Sequence, residues 1–313
     1  MGKIAFLFPG QGSQTVGMGK TLAQSDQRVM GYYQKADEVL GFSLCDLVFH
    51  GPQENLTRTI NAQPALLATG IALQHYFRRS GIRPDFVAGH SLGEYSALVA
   101  AKAFSFEEGI LAVRKRGELM EEAVPHGEGA MSAVLGLERT RLQEVVEKVD
   151  AAGDPVQLAN MNCPGQIVIS GSTTGVKEAG EKAKEAGAKR VIPLDVSGPF
   201  HSSLMKPAAE RFGEVLDSMD IRDAAIPVIA NVNASPMTNA ADIRELLVQQ
   251  LYSPVLWEDS VVKMIESGVD TFIEFGPGKV LCGLVKKVDR SAKTYPVFDE
   301  ESCASAVRAI RGE

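Results

Sequence analysis

An α/β fold with a mainly parallel sheet is the architecture this sequence predicts, and three observations carry it. Short apolar runs of strand length stop at glycine or proline, long helical patterns lie between them, and the two alternate along much of the chain. With 313 residues, 45% hydrophobic and 23% charged, there is enough apolar material for a sizeable core. Disordered, collagen-like and coiled-coil classes are excluded by the same composition.

The first strand is Ile4-Ala5-Phe6-Leu7-Phe8, ended by Pro9-Gly10, and Phe86-Val87-Ala88 before Gly89 is another. Helical patterns run from Ala62 to Arg79 and from Phe106 to Ala123. From about Gly129 to Val196 the texture changes. Met131 to Leu135 reads as a strand, Arg139 to Val149 as a helix, and Val156 to Asn162 and Gln166 to Ser170 as two strands joined at Pro164-Gly165. Val176 to Ala186 follows as a helix and Arg190 to Leu194 as a closing strand. The order βαββαβ is the ferredoxin-like arrangement. Residues 129–196 are therefore expected to form a small domain inserted in a larger one made of 1–128 and 197–313. Helices resume after His201, followed by a strand near Thr271 to Glu274, the turn Gly276-Pro277-Gly278 and a final helix up to Arg311. No repeat, low-complexity tract or long linker interrupts this order.

Thirty-two basic and 39 acidic side chains leave a formal charge of −7, which argues against nucleic acid as the main partner. Cys45, Cys163, Cys282 and Cys303 are scattered, with neither CxxC nor a histidine at metal-ligand spacing, so they read as reduced core thiols of a cytoplasmic protein and no metal is expected. The apolar run after Lys3 is too short for a signal-peptide core, and Phe6 stands where a myristoylation signal needs Ser or Thr. No stretch approaches the roughly 18 uncharged apolar residues of a spanning helix. No membrane association is expected, and an opening at Met1, two residues before the first strand, suits a free-standing enzyme.

Gly89-His90-Ser91-Leu92-Gly93 is a GxSxG motif, with an apolar strand before it and a helical pattern from Leu92 to Lys102 after it. Such a sharp strand-to-helix turn leaves no room for bulky neighbours and presents the serine hydroxyl where the helix aims its first amides. A serine nucleophile needs a base, and five histidines are available. His90 is adjacent and diverges at a sharp turn, so it reads as a packing residue. His75 sits in the helical run Ile71 to Phe77, whereas His50 and His126 lie in polar, loop-like stretches. His201 follows Ser197-Gly198-Pro199-Phe200, where the small domain returns to the large one, and on position it is the best base. Two backbone donors are needed for an oxyanion: Leu92 supplies one, and the loop Phe8 to Gln14 is the candidate for the other. As a dinucleotide cradle that loop fails, because Thr15 occupies the third glycine position; Gly19-Lys20-Thr21 fails as a P-loop, because Gln14 stands where glycine is required.

Six blocks, taken together, resemble the malonyl-CoA:acyl carrier protein transacylase family. They are Phe8-Pro9-Gly10-Gln11-Gly12-Ser13-Gln14, Gly89 to Glu94, Arg116-Gly117, Asn160 to Gln166, Gly198-Pro199-Phe200-His201-Ser202 and Phe275-Gly276-Pro277-Gly278. The resemblance implies a hydrolase-like core with a ferredoxin-like insertion. It also implies Ser91 as nucleophile, His201 as general base and acid, and the backbone carbonyl of Gln250 in place of a triad carboxylate. Gln11 and Leu92 would supply the oxyanion amides. Arg116 would bind the malonyl carboxylate, a role its planar, always-charged fork suits, and it shares a helical stripe with Ala112, Val113, Met120 and Ala123. Gln63, Met120, Asn162 and Phe200 complete the implied substrate site, Phe200 as a wall against a methyl on the malonyl carbon.

The implied reaction moves malonyl from malonyl-CoA to the phosphopantetheine thiol of acyl carrier protein through a malonyl-serine. It needs no cofactor, since coenzyme A is substrate and product and the phosphopantetheine belongs to the partner. A serine thioesterase or esterase, a polyketide extender-unit acyltransferase and a non-catalytic binding module are the alternatives. Both expected partners are anionic, so attraction falls to local clusters: Arg114-Lys115-Arg116, Lys189-Arg190 and Lys286-Lys287 are the candidates.

Overall fold

A computed structural model describes residues 2–125 and 127–313. Met1 and His126 lie outside the described residues, and with them the expectation that His126 sits in a polar loop. Strand β1 (Lys3–Phe8) leads into helices α1 (Lys20–Ser25), α2 (Gln27–Leu40), α3 (Leu44–His50), α4 (Gln53–Thr57) and α5 (Thr59–Phe77). After β2 (Phe86–Gly89) come α6 (Gly93–Ala100) and α7 (Phe106–Glu122). The middle of the chain is β3 (Gly129–Leu135), α8 (Arg139–Ala151), β4 (Val156–Cys163), β5 (Gln166–Ser172), α9 (Thr173–Glu185) and β6 (Arg190–Pro193). The remainder is α10 (Lys206–Asp217), β7 (Val228–Ile229), β8 (Pro236–Met237), α11 (Ala240–Gln250), α12 (Trp257–Glu266), β9 (Val269–Phe275), α13 (Val280–Val288), β10 (Lys293–Val297) and α14 (Glu300–Arg311).

Among the described residues ten strands make two sheets. The larger has the order β10-β9-β1-β2-β7-β8 and is parallel except where β8 pairs with β7; the smaller, β4-β5-β3-β6, is antiparallel throughout. β1 and β2 are buried along almost their whole length, as continuous apolar strands of a covered parallel sheet must be. Helices cover both faces. Phe6, Phe8 and Phe275 pack with α5 and Phe77 on one side, while Ala5, Leu7, Phe272 and Trp257 pack with α12 and α13 on the other. The small sheet has its own core of Val134, Leu142, Val146, Leu158, Ile169 and Val176. It is stitched to the segment between α11 and α12 by Met161 N–H donating to Val255 O at 2.9 Å and Val255 N–H donating to Ala159 O at 2.8 Å.

Three strands lie outside the apolar runs of the sequence: β7 and β8, of two residues each, and β10, in which Pro296 interrupts the apolar pattern. His50 is the last residue of α3 rather than a loop residue, its Nδ1 lying 2.7 Å from Asp46 Oδ1 one turn earlier. Cys163, Cys282 and Cys303 are buried, whereas Cys45 is half-buried. Among the described residues no helix is long and apolar enough to cross a membrane, and no cluster of His, Cys, Asp and Glu could hold a metal ion.

Candidate active site at the nucleophile elbow

The elbow joins β2 to α6, and its two glycines are there because nothing larger fits. A Cβ on Gly89 would stand 1.8 Å from Gly93 C, and one on Gly93 would stand 2.0 Å from Phe8 O. The chain is driven into the left-handed region at Ser91, with φ of 50°, which is uncommon for a residue with a side chain. Asn231 holds this turn from below, accepting from Ser91 N–H through Oδ1 and donating to Gly89 O through Nδ2, both at 2.7 Å.

His201 is brought to the hydroxyl by the segment leaving the small sheet, again with a left-handed backbone, φ 59°. Its Nε2 lies 2.7 Å from Ser91 Oγ, and its Nδ1 lies 2.8 Å from the backbone O of Gln250 at the end of α11. A carbonyl oxygen can only accept, so the proton sits on Nδ1 and Nε2 is left to accept from the serine hydroxyl. Burial, reinforced by the nearby Arg116 charge, pushes the His201 pKa down to about 3. The imidazole is therefore a neutral proton acceptor across the whole neutral range.

Arg116 enters from α7, whose buried stripe includes Ala112, Val113, Arg116 and Met120. The residue is 1% exposed. Nη1 donates to Gln63 Oε1 at 2.9 Å, and Nη2 donates to Ser91 Oγ at 3.1 Å and to Gln250 Oε1 at 3.0 Å. Gln63 reaches it from α5 and also donates to Met120 Sδ at 3.6 Å. The hydroxyl of Ser91 thus sits between a neutral acceptor and a cation.

Above it opens a cavity of about 380 Å³ between the two sheets, lined by Gln11, Leu92, Arg116, Met120, Phe200 and His201 among others. Neither the N–H of Gln11 nor that of Leu92 donates to any acceptor among the described residues, so both are free for an incoming oxygen. The Gln11 loop is fixed by its side chain, which donates to Thr59 Oγ1 at 3.0 Å. The small sheet closes the cavity from the other side with Met131 and Asn160.

Nine of the ten expected site residues meet at this cavity or directly touch Ser91, His201 or Arg116: Ser91, His201, Gln250, Gln11, Leu92, Arg116, Gln63, Phe200 and Met120. Met120 lies on its wall beside Gln63. Asn162 is elsewhere: it does not line this cavity, and its Oδ1 lies 2.8 Å from His90 Nε2 in the adjoining cleft. His90 does pack, against Trp257 at 5.6 Å between ring centroids, but it also forms part of the cavity wall. Arg114-Lys115-Arg116 is no surface patch. Arg116 turns inward, while Arg114 and Lys115 both pair with Glu118, each at 2.8 Å. Lys189 and Arg190 are exposed, and Lys287 Nζ donates to Gln166 at the rim of the cleft that holds Asn162.

Sequence reasoning passed over Asn231 and the buried Glu94. Glu94 follows the second motif glycine, a position from which a helix's first turn can look only into the core. Asn231 lies in a turn with no periodicity to flag it.

The acyl transferase domain family matches residues 5–312. The malonyl CoA-acyl carrier protein transacylase of Bacillus subtilis (strain 168) is 60% identical over 313 residues, covering 100% of this chain and 99% of its own. An acyl carrier protein S-malonyltransferase of Vibrio cholerae O1 biovar eltor str. N16961 superposes with a TM-score of 0.95 at 45% identity, covering 97% of this chain and 99% of its own. A malonyl-transacylase solved in complex with its type II PKS acyl-carrier protein superposes with a TM-score of 0.95 at 42% identity, over 98% and 99% of the two chains.

Proposed function

Starting from a chain that belongs to the acyl transferase family, and within it to the malonyl-CoA:acyl carrier protein transacylases, we propose that Ser91 carries the malonyl group between two thiols. The enzyme is an acyltransferase, and its partners are malonyl-CoA and acyl carrier protein. The single observation that carries the assignment of the site is one oxygen with two contacts: Ser91 Oγ lies 2.7 Å from a proton acceptor and 3.1 Å from a buried guanidinium.

In the first half-reaction His201 Nε2 takes the Ser91 proton as Oγ attacks the thioester carbon. The tetrahedral oxyanion rests on the free amides of Gln11 and Leu92, and the coenzyme A thiolate leaves with the proton from Nε2. Gln250 O holds the imidazole in the productive tautomer. In the second half the phosphopantetheine thiol gives its proton to His201 Nε2 and attacks the malonyl-serine ester; as the ester C–O bond breaks, Nε2 returns that proton to the departing Ser91 Oγ. Arg116 receives the malonyl carboxylate as a fork, with Gln63 holding its far side. An acetyl group would leave that buried charge unmatched, which is how the site selects against it. Phe200 and Met120 narrow the space beside the acyl carbon.

The large sheet with its elbow is read as a hydrolase-like core, residues 1–128 and 197–313, and 129–196 as an inserted ferredoxin-like domain; the order βαββαβ and the all-antiparallel small sheet support this. The reaction needs no cofactor, because the coenzyme A and phosphopantetheine thiols supply the chemistry. A cytoplasmic role in fatty-acid synthesis fits a malonyl donor and a carrier-protein acceptor. Polyketide extender selection or hydrolysis would use the same elbow, and Arg116, which a simple esterase does not need, favours malonyl transfer.

The test is an acyl-enzyme trap. Incubation with malonyl-CoA should add one malonyl mass to Ser91, which acyl carrier protein then removes, and Ser91→Ala should take up none. Normal labelling of that variant sinks the assignment.

A further inference from the structure

The site rests on a buried carboxylate that the reaction above leaves unused. Glu94 on α6 is fully buried. Its Oε2 accepts from Gln250 Nε2 at 2.5 Å and from Asn231 N–H at 3.3 Å, while Oε1 has no partner among the described residues. Arg116 has the converse problem. Its acceptors Gln63 Oε1, Gln250 Oε1 and Ser91 Oγ are all neutral, and its Nε has none among the described residues. An isolated buried charge is costly, and here two opposite ones are joined by a single amide. Gln250 accepts from Arg116 through Oε1 and donates to Glu94 through Nε2.

We propose that Glu94 is a positioning residue acting through Gln250: its carboxylate is the counter-charge of Arg116, held one amide away so that no protein carboxylate occupies the place of the substrate's. This rests on reading Arg116 as the malonyl anchor. A direct Glu–Arg pair would fill the guanidinium fork and exclude the acyl carboxylate. With no counter-charge the guanidinium would lose its compensation before substrate arrives. The relay also fixes the amide, because a flipped Gln250 would set its Nε2 against the Arg116 donors and its Oε1 against the carboxylate.

The arrangement makes malonyl selection depend on the charge of Glu94. The groups facing that carboxyl are the Gln250 amide from α11, the Asn231 backbone between β7 and β8, Tyr95 on its own helix and Arg116 from α7, with His201 beyond Arg116. Burial holds both Tyr95 and His201 neutral at neutral pH, so Arg116 is the one charge among these groups. Burial also pushes the Glu94 carboxyl up to about 7. As pH falls through that value Glu94 takes a proton, the counter-charge disappears, and Arg116 draws an acyl carboxylate more strongly.

The experiment measures kcat/KM for malonyl-CoA and acetyl-CoA from about pH 6 to about pH 8, with the full-length enzyme and its Glu94→Gln variant. Taking the malonyl-to-acetyl ratio cancels titration of the coenzyme A phosphates. In the wild type the ratio should fall about three- to tenfold as pH rises, the Coulomb range for charges one amide apart after allowance for screening. Glu94→Gln keeps an acceptor for Gln250 but no charge, so it should hold the high ratio at every pH. A flat wild-type ratio, or a variant that retains the wild-type slope, overturns the proposal. If the variant fails to fold, the wild-type profile alone decides. A wild type with no preference for malonyl at any pH would instead overturn the reading of Arg116, and the proposal with it.

Discussion

Replacing Arg116 by alanine separates binding of the malonyl carboxylate from acyl chemistry in general. In the proposed reading the guanidinium offers a substrate carboxylate a fork of charge-assisted hydrogen bonds, each worth about 1.5–3 kcal/mol in a buried site. Gln63 and Gln250 already hold part of the fork, so the net loss of transition-state binding for malonyl should be about 3–4 kcal/mol, or about 10² to 10³ in kcat/KM. Acetyl transfer loses only the 3.1 Å contact with Ser91 Oγ, about 1 kcal/mol and less than about tenfold. Truncation also strands two buried amide oxygens, which should cost the fold about 2–5 kcal/mol. Arg116→Lys guards against that collapse: it keeps the charge without the fork, and should weaken malonyl transfer more than acetyl transfer. The assay is steady-state transfer from each acyl-CoA to acyl carrier protein, with thermal unfolding in parallel. Equal losses for malonyl and acetyl in both variants would refute the reasoning and make Arg116 a packing residue.

Two further outcomes follow from the same contacts. Asn231→Ala removes the acceptor of the half-buried Ser91 N–H and the donor to the buried Gly89 O, so stability should fall by about 2–4 kcal/mol and acyl-serine formation should slow for malonyl and acetyl alike; unchanged rates, followed by mass spectrometry, would show the elbow to be self-supporting. His201 is held at about 3 against 6.5 for an ordinary histidine, so below pH 6.5 the unfolded chain binds a proton that the native site refuses. Its contribution is nil above pH 6.5 and increasingly destabilising as pH falls from there towards about 3. Denaturant midpoints should therefore drop on acidification, and less steeply in His201→Gln; parallel slopes would contradict the shift.

How much of this was legible beforehand divides along a physical line. Contacts set by local sequence could be read: the strand and helix around Gly89-His90-Ser91-Leu92-Gly93, the inward stripe of α7 that carries Arg116, and the alternation that separates the small sheet from the large one. Contacts set by chain crossings could not be read from spacing. Gln250 reaches Ser91 across 159 positions and Asn231 reaches it across 140; neither lies in a pattern tied to that pairing, and the role of Gln250 came only through family resemblance. Charge misled at Arg114-Lys115-Arg116, because three consecutive cations on a helix span most of its circumference and only one can point inward. The two-residue strands β7 and β8 were invisible for a simpler reason. They are too short to show a period, yet their position beside β2 is what carries Asn231 beneath the elbow.

The neutral partner of His201 follows from the same electrostatics. A carboxylate at Nδ1 would raise the imidazole's affinity for protons and add a negative charge close to the point where, in the proposed reaction, the anionic acyl group enters. A backbone carbonyl fixes the tautomer without doing either. With the Arg116 charge nearby, the imidazole is held unprotonated, ready in the proposed reaction for the serine proton, and the one arginine or lysine lining the cavity among the described residues is left for the substrate carboxylate that the proposal places there. A serine hydrolase acting on neutral esters has no such constraint and can use a carboxylate there. On the proposed mechanism, orientation of the base by a carbonyl and recognition of the acid by a buried arginine are two parts of one solution, and moving a carboxylate to the position of Gln250 O should weaken malonyl selection even where it strengthens the base.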